Sequence, residues 1–308
     1  MDAGRHPNIT LLSYSEVEQV SGFVGQFSVR IRKRARSVIE DLCTSCGLCQ
    51  EKCPTKVLDT AYEAGMGRRK AIYRPFAGSI PSYPVLDREH CLYFTKGRCK
   101  LCERFCPTGA IDYEQEDQII DVEVGAIVLA TGYQMWDPTQ LTEYSYGKSP
   151  NVITGLQFER MVTATGPTGG EIVTAEGRVP EKVAIVHCVG SRDQRAHAYC
   201  SRFCCMYALK QAHQVLDKTG AEVYDFYMDM RTFGKAYEEF YGRIREEGIQ
   251  FIQGRPSQIT VDAESGKLYL DAEDILLGKV LELEVDMVVL ANAIEPQHDA
   301  PQIGAMFG

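Results

Sequence analysis

The sequence has no run approaching eighteen consecutive apolar residues, so no stretch of it reads as a membrane-spanning helix. It is short of positive charge. With 33 Lys and Arg against 42 Asp and Glu, the formal net charge is −9, which argues against nucleic acid as a partner. No Ser-His-Asp, Cys-His or paired-carboxylate arrangement calls for hydrolytic chemistry. Residues 1–10 lack a signal-like start, and this points to a reducing, cytoplasmic setting. What is present is an ordinary globular composition, 44% hydrophobic and 24% charged over 308 residues, enough for roughly two domains.

Cysteine is the exception, with twelve residues. Eight form two short runs: Cys43, Cys46, Cys49 and Cys53-Pro54, then Cys91, Cys99, Cys102 and Cys106-Pro107. Soft thiolates suit iron–sulfur centres. In the bacterial two-cluster ferredoxin pattern, three nearby thiolates hold one cubane and the proline-linked fourth crosses to the other. That pattern predicts one [4Fe-4S] cluster on Cys43, Cys46, Cys49 and Cys106, and a second on Cys91, Cys99, Cys102 and Cys53. A four-cysteine zinc site is the plain rival for any isolated CxxC pair. The seven-residue gap between Cys91 and Cys99 lengthens a loop without removing a ligand.

Around these runs, Ile9–Tyr14 and Phe27–Ile31 read as short strands, with Ser15-Glu16-Val17-Glu18 as a connection and Gly22 and Gly25 marking a turn. The basic run Arg30, Arg32, Lys33, Arg34 and Arg36 reads as a solvated strand face, or a docking surface for an acidic partner or flavin phosphate. A short helix is expected after Cys53, and an extended loop over 62–84. In that loop Arg68, Arg69, Lys70, Tyr73 and Arg74 are candidates for contact with a cofactor or with another protein of a complex. Ala126–Ala130 reads as a buried strand, and Ala130, Thr131 and Gly132 as a close backbone approach to a flavin. Leu156, Phe158 and Met161 are core candidates. From Lys182 an α/β unit begins: strand Val183–His187, helix Arg202–Leu216, strand Ala221–Met228, helix Lys235–Glu247, strand Ile249–Ile252. A hairpin of Ile259–Val261 with Lys267–Asp271 and a final strand Leu281–Leu290 complete it.

The first crossover of that unit lacks the G-x-G-x-x-G that brings backbone and a helix N-terminus against a pyrophosphate. It carries Cys188, Cys200, Cys204 and Cys205 instead. Thiolates at a strand end and a helix start can converge on one metal. Buried structural thiols and a redox dithiol are the other readings, because adjacent Cys204 and Cys205 do not easily face one point. His187 reads as a packed, hydrogen-bonding strand residue, and His197 as a loop residue.

The chain resembles the HdrA family, the iron–sulfur flavoprotein component of heterodisulfide reductase, and its bacterial relatives. The matching stretches include Gly4 to Ile9, Tyr14 to Glu18, the double cysteine runs, Val124 to Tyr133, Cys188 to Asp193, and Tyr199 to Lys210. The resemblance implies an α/β fold: a thioredoxin-reductase-like nucleotide-binding framework with an inserted two-[4Fe-4S] bacterial ferredoxin-type domain. It divides the chain into residues 1–37 (β-rich part of a flavoprotein core), 38–117 (inserted ferredoxin domain) and 118–149 (return strand of an FAD domain). Residues 150–296 become a degenerate NAD(P)-type domain and 297–308 a return toward the FAD domain. It also implies a non-standard third [4Fe-4S] site on Cys188, Cys200, Cys204 and Cys205, lying near FAD, and no NAD(P)H dependence of the chain by itself. In the family an FAD fingerprint lies upstream of the segment matching Asp2, and a further flavin-binding segment lies downstream of that matching Pro296. The chain is thus expected to be a fragment, a split-gene subunit or a reduced relative.

The function so implied is an electron-transfer subunit passing electrons between ferredoxin-type clusters and FAD, in flavin-based electron transfer or bifurcation. The alternative is a non-catalytic iron–sulfur wire or assembly subunit without its own flavin. Implied partners are other heterodisulfide-reductase-like subunits, a hydrogenase, formate dehydrogenase or ferredoxin-linked donor, and a second copy of the chain.

Overall fold

The computed structural model describes residues 2–307, which form two compact units, one running to Thr131 and resuming at Asp299, the other spanning Gly132–His298. In the first unit β1 (Ser15–Phe23) and β2 (Gln26–Lys33) form an antiparallel hairpin. The cysteine segment follows, with α1 (Leu48–Lys52), β3 (Lys56–Asp59), β4 (Gly67–Lys70), β5 (Ile72–Tyr73), β6 (Val85–Leu86), α2 (Leu92–Lys96) and α3 (Leu101–Arg104). The chain then returns as β7 (Gln118–Val124), which pairs with β2, so the whole cysteine segment is a connection between adjacent strands. Its small core joins Val38, Ala71, Ile72, Leu86, Ala110, Ile111 and Tyr113 to Cys53 and Cys102.

Several expectations shift here. The strand begins at Ser15, in the stretch expected to be a connection. Ile9–Tyr14 is irregular, because pairing with β2 starts only at Ser15 and Tyr14 takes a left-handed backbone, φ 58°. Only the first part of the basic run is a strand face ion-paired across the sheet, Arg30 with Asp121 at 3.0 Å and Arg32 with Glu18; Arg34, paired with Glu16, and Arg36 follow the strand, and Arg36 is buried and paired with Glu40 at 2.9 Å. The exposed pairs across the sheet add little stability but favour this register. The short helix precedes Cys53. Pro54 holds Cys53 extended, φ −66° and ψ 123°, and the chain continues into the β3–β4 hairpin, so 62–84 is not one extended loop. Ala126–Ala130 is neither buried nor a strand. Val128 is 89% exposed, and no described strand pairs with this segment.

The second unit opens with β8 (Tyr133–Met135), β9 (Val152–Thr154) and α4 (Gly155–Met161), whose N-terminus is closed by a Thr154–Gln157 capping box. Phe158 and Met161 are buried, but Leu156 faces solvent. Next come β10 (Lys182–Val189), α5 (Cys204–Thr219), β11 (Glu222–Tyr227), α6 (Tyr237–Glu246) and β12 (Gln250–Gln253). The last strands are β13 (Gln258–Val261), β14 (Leu268–Asp274), β15 (Lys279–Val285), β16 (Met287–Asn292) and β17 (Ile294–Pro296). A five-stranded parallel sheet runs in the order β12-β11-β10-β16-β9, the layout of a nucleotide-binding-type sheet. Its central strands read as continuous apolar runs because both faces are covered. β13, β14 and β15 form a separate antiparallel sheet. Helix α7 (Ala300–Phe307) belongs to the first unit.

The expected single strand Leu281–Leu290 is two strands in two sheets. The break is Asp286, whose carboxylate accepts from the backbone N–H of Glu181 and Lys182 and from Lys267 Nζ at 2.6 Å. The change from alternation (Leu281 to Val285) to an unbroken apolar run (Met287 to Ala291) marks the same boundary.

Candidate metal centres

All twelve cysteines are free thiols, so no disulfide scaffold forms. Cys43, Cys46, Cys49 and Cys106 line one cavity with Val38, Arg74 and Ile111. Ser45 (φ 55°) and Gly47 (φ 83°) bend the backbone so that the first three thiols turn inward, and Gly47 then caps α1. Cys106 reaches this cavity from the second run, and its sulfur accepts the Ala110 N–H at 3.2 Å. Burial acts to raise the Cys106 thiol, but hydrogen bonds from Ala110, Thr108 and Gly109 outweigh it and bring the thiol below its ordinary value. Cys49, more enclosed, is pushed up to about 11, by burial first and then by its neighbouring cysteines.

Cys53, Cys91, Cys99 and Cys102 line a second cavity, walled by Ala71, Ile72 and Leu86. The Tyr113 hydroxyl lies 3.1 Å from Cys102 Sγ, and Tyr113 stacks on Tyr93 with ring centroids 4.0 Å apart. Burial raises the Cys102 thiol. Lys70 Nζ donates to the Cys53 carbonyl at 2.5 Å, while Arg69 pairs with Asp87 at 2.8 Å and stacks on Tyr73. Two of the expected cofactor contacts, Arg69 and Lys70, therefore hold the cysteine segment together. Arg74 lines the first cavity.

The third group lies at the end of β10. Cys188, at φ 57°, ends the strand's regular course, and Gly190 (φ 76°) passes so close to Trp136 that a Cβ would lie 2.2 Å from its Cε3. The crossover folds onto itself through Arg192 N–H to Tyr199 O (2.9 Å), Asp193 N–H to His197 O (2.9 Å) and His197 N–H to Gly190 O (3.1 Å). Cys200 accepts the Arg202 N–H at 3.4 Å. Cys204 and Cys205 begin α5 and diverge: Cys204 Sγ lies 3.9 Å from Asn292 O on the β16 side, and Cys205 Sγ 3.9 Å from Asp229 O on the β11 side. They lie on either side of the end of β10. Cys188 is raised to about 11 and Cys204 to about 12, by burial first and then by neighbouring cysteines. In Cys205 the raising effect of burial is outweighed by the neighbouring His187 imidazole, and the thiol is lowered.

The spacing of these thiols bears on what they could hold. Among the described residues the only trio of potential metal-ligand atoms lying within 4.8 Å of one another is Asp87, Glu89 and His90. A tetrahedral zinc with Zn–S bonds near 2.3 Å sets its sulfurs only about 3.8 Å apart. The cysteine sets stand wider than that, with N–H donors to the sulfurs of Cys106 and Cys200. That arrangement fits a polynuclear iron–sulfur group, which would also displace the protons that burial otherwise holds on these thiols.

Ala130, Thr131 and Gly132 are exposed, and the crossover between β10 and α5 carries no glycine fingerprint. A Cβ at Gly132 would meet nothing closer than Gln297 Nε2 at 4.0 Å, so the backbone there is open to close approach. Two residues of these sites, Tyr113 and Asp225, are not singled out by motif or spacing. Asp225 has a visible signal, a carboxylate inside the otherwise apolar β11 and one strand away from His187 in the equally apolar β10. Tyr113 has none.

The family described as a 4Fe-4S binding domain matches residues 36–59, which contain Cys43, Cys46, Cys49 and Cys53. Over 312 aligned residues the chain is 44% identical to the A-subunit of the H(2):CoB-CoM heterodisulfide,ferredoxin reductase of Methanothermobacter thermautotrophicus, covering 100% of this chain and 46% of the relative. It is 45% identical to the iron-sulfur A-subunit of the CoB–CoM heterodisulfide reductase of Methanocaldococcus jannaschii, covering 100% of this chain and 47% of the relative. The chain thus spans about half the length of these relatives. Among solved structures, a thioredoxin reductase from T. acidophilum aligns with 82% of this chain and 73% of its own at 11% identity and a TM-score of 0.36, too loose an overlap to build on.

Proposed function

We propose, from the chain's membership of the HdrA family of heterodisulfide reductase along its whole length, that it is a redox-active part of a larger enzyme complex, carrying electrons through iron–sulfur centres. The observation that carries this reading is the sorting of the eight paired-run cysteines into two cavities with the proline-linked thiols exchanged, Cys106 with the first run and Cys53 with the second. Bound there, [4Fe-4S] clusters supply one-electron transfer. The chain's own residues hold and insulate them. Val38, Ala71, Ile72, Leu86 and Ile111 keep water from the sulfurs, and the Ala110 N–H and Tyr113 hydroxyl donate to Cys106 and Cys102. A third cluster is assigned to Cys188, Cys200, Cys204 and Cys205 at the crossover of the parallel sheet.

In this reading the framework is thioredoxin-reductase-like, and the partners are heterodisulfide-reductase-type subunits with a ferredoxin-, formate- or hydrogen-linked donor. The complete subunit links iron–sulfur to flavin chemistry, with Ala130, Thr131 and Gly132 as this chain's flavin contacts. The second reading is an electron wire without its own flavin. Anaerobic purification with iron, sulfide and flavin quantification tests both. About twelve iron atoms per chain support three clusters, and about eight remove the third. Zinc in place of iron overturns the proposal, and absence of flavin from the native complex leaves the wire.

A further inference from the structure

The cysteine segment buries a tyrosine hydroxyl against a cysteine sulfur, and holds it there by backbone pairing on one side and stacked rings on the other. Ile111 pairs with Val38 in an antiparallel bridge, the Asp112 N–H donates to Ser37 O at 3.1 Å, and Tyr113 follows directly. The Tyr113 ring lies on that of Tyr93, centroids 4.0 Å apart, and meets the Phe94 ring edge-on at 6.0 Å. Lys100 Nζ stands over both tyrosines, 5.2 Å from the centroid of Tyr93 and 5.4 Å from that of Tyr113.

Tyr113 is 6% exposed. Packing alone would be served as well by phenylalanine, because a buried hydroxyl loses its water and costs stability unless it finds a partner. The partner is Cys102 Sγ at 3.1 Å, and Cys102 is itself buried. Between two neutral groups either atom could carry the proton, but a cysteine bound to iron is a thiolate and has none to give. A phenol, with an ordinary pKa of about 10, keeps its own. The O–H therefore donates and the sulfur accepts. The first cavity is built differently: Cys106 accepts the Ala110 N–H at 3.2 Å, and the hydroxyl beside it, that of Thr108, is exposed and stands off at 3.7 Å. A backbone donor serves one centre and a buried side-chain hydroxyl the other.

We propose that Tyr113 is a positioning residue of the second centre, its hydroxyl holding the Cys102 sulfur and so raising the reduction potential of the group bound there. The inference rests on the assignment of a cluster to Cys53, Cys91, Cys99 and Cys102. One-electron reduction adds one negative charge to the cluster, and an O–H aimed at a ligand sulfur favours that more negative state. No bond to Tyr113 is made or broken, and the proton stays on the phenol. The effect is confined to the second centre and draws an electron toward it.

The test is anaerobic titration of the iron-loaded chain with dithionite, followed by electron paramagnetic resonance, the two signals being assigned by their loss in Cys46→Ala and in Cys91→Ala. Tyr113→Phe keeps the ring and its stack and removes the hydroxyl. A ring-fluorinated tyrosine placed at position 113 keeps the hydroxyl and makes it a stronger donor. The Phe variant is expected to make reduction of the second centre about tenfold less favourable, a shift of about 59 mV to more negative potential for one electron, while the first centre's signal stays in place. The fluorinated ring is expected to move the second signal the other way. An unmoved second signal in the Phe variant, or an equal shift at both centres, overturns the proposal. So does a positive shift, the mark of water let in to the sulfurs by loosened packing. If the Phe variant does not hold the second cluster, the fluorinated one decides: a potential above the parent's supports the hydrogen bond, and an unchanged one makes the hydroxyl merely structural and overturns it. A parent protein that carries zinc, or whose Cys91→Ala variant loses no iron, defeats the cluster assignment itself, a different failure seen before Tyr113 is touched.

Discussion

The exchange of Cys53 and Cys106 between the two runs can be tested by counting iron. Cys46 is exposed, and Cys106 lies near the surface with one N–H, that of Ala110, as its hydrogen-bond donor at ordinary distance. Replacing either with alanine removes a ligand at little cost to the fold, about 1 kcal/mol for the lost hydrogen bond. Both line the first cavity, so Cys46→Ala with Cys106→Ala should remove one cluster only. Cys53→Ala with Cys106→Ala takes a ligand from each cavity and should remove both. The difference is about four iron atoms per chain, whatever the third site holds.

If each run instead kept its own four cysteines, Cys46 and Cys106 would belong to different clusters and that pair would lose about eight iron atoms; the Cys53 and Cys106 pair loses about eight under either wiring, and Cys46→Ala with Cys53→Ala becomes the pair that spares a cluster. That third double variant therefore completes the set. Under crossed wiring it takes one ligand from each cavity and removes both clusters; under uncrossed wiring both residues belong to the first run and only one cluster goes. The assay is iron and acid-labile sulfide per chain after anaerobic reconstitution, with circular dichroism to show that the parallel sheet has formed. A Cys46 and Cys106 pair that loses both clusters, or a Cys46 and Cys53 pair that loses only one, would refute the crossed wiring. Single variants do not discriminate, because each removes one cluster under either scheme.

Two further outcomes concern the second unit. For Asp286, burial acts to raise the carboxyl but is outweighed by Lys267 and by the N–H groups of Lys182 and Glu181, so the folded value lies below the ordinary carboxylate range. The stability it contributes is therefore present above pH of about 4 and is lost as pH falls through the folded value; Asp286→Asn should flatten that acid limb in denaturant titrations, and an unchanged limb would count against the role. Gly190→Ala combines a left-handed backbone with a Cβ 2.2 Å from Trp136 Cε3, and should cost about 2–3 kcal/mol in thermal or denaturant melts, a loss under about 0.5 kcal/mol showing that the loop yields freely.

The ferredoxin-type segment was legible because its ligands are local. A two-residue gap and a Cys-Pro step constrain the backbone within a few residues, so spacing alone groups the thiols. The α/β unit was legible for a similar reason, its buried strands being continuous apolar runs between amphipathic helices. The failures fall where a neighbour decides. Ala126–Ala130 is as apolar as β16, yet β16 has β10 and β9 beside it and the other segment has no described partner strand. The strand Leu281–Leu290 was read through Asp286 because the sequence does not reveal that Glu181, Lys182 and Lys267 converge on that carboxylate. The Cys188 to Cys205 group was only half legible, since it is assembled from a strand end, a folded loop and a helix start.

That difference in assembly carries over to charge. Near the surface, the first cavity can set backbone N–H groups and solvent against the negative charge of four thiolates, and Cys46 stays exposed. The third group is more enclosed, with Cys188, Cys204 and Cys205 all buried, so its compensation has to come from the fold. Against the raising effect of burial and of neighbouring cysteines, Arg192 and Arg255 act to lower the Cys188 thiol, and His187 lowers that of Cys205. The N-terminus of α5, a 16-residue helix, adds the positive end of its dipole under Cys204 and Cys205. These are the charges that a crossover in a sheet of this type ordinarily turns toward a phosphate. Here thiols occupy that helix end, and a phosphate and four thiolates cannot both draw on it.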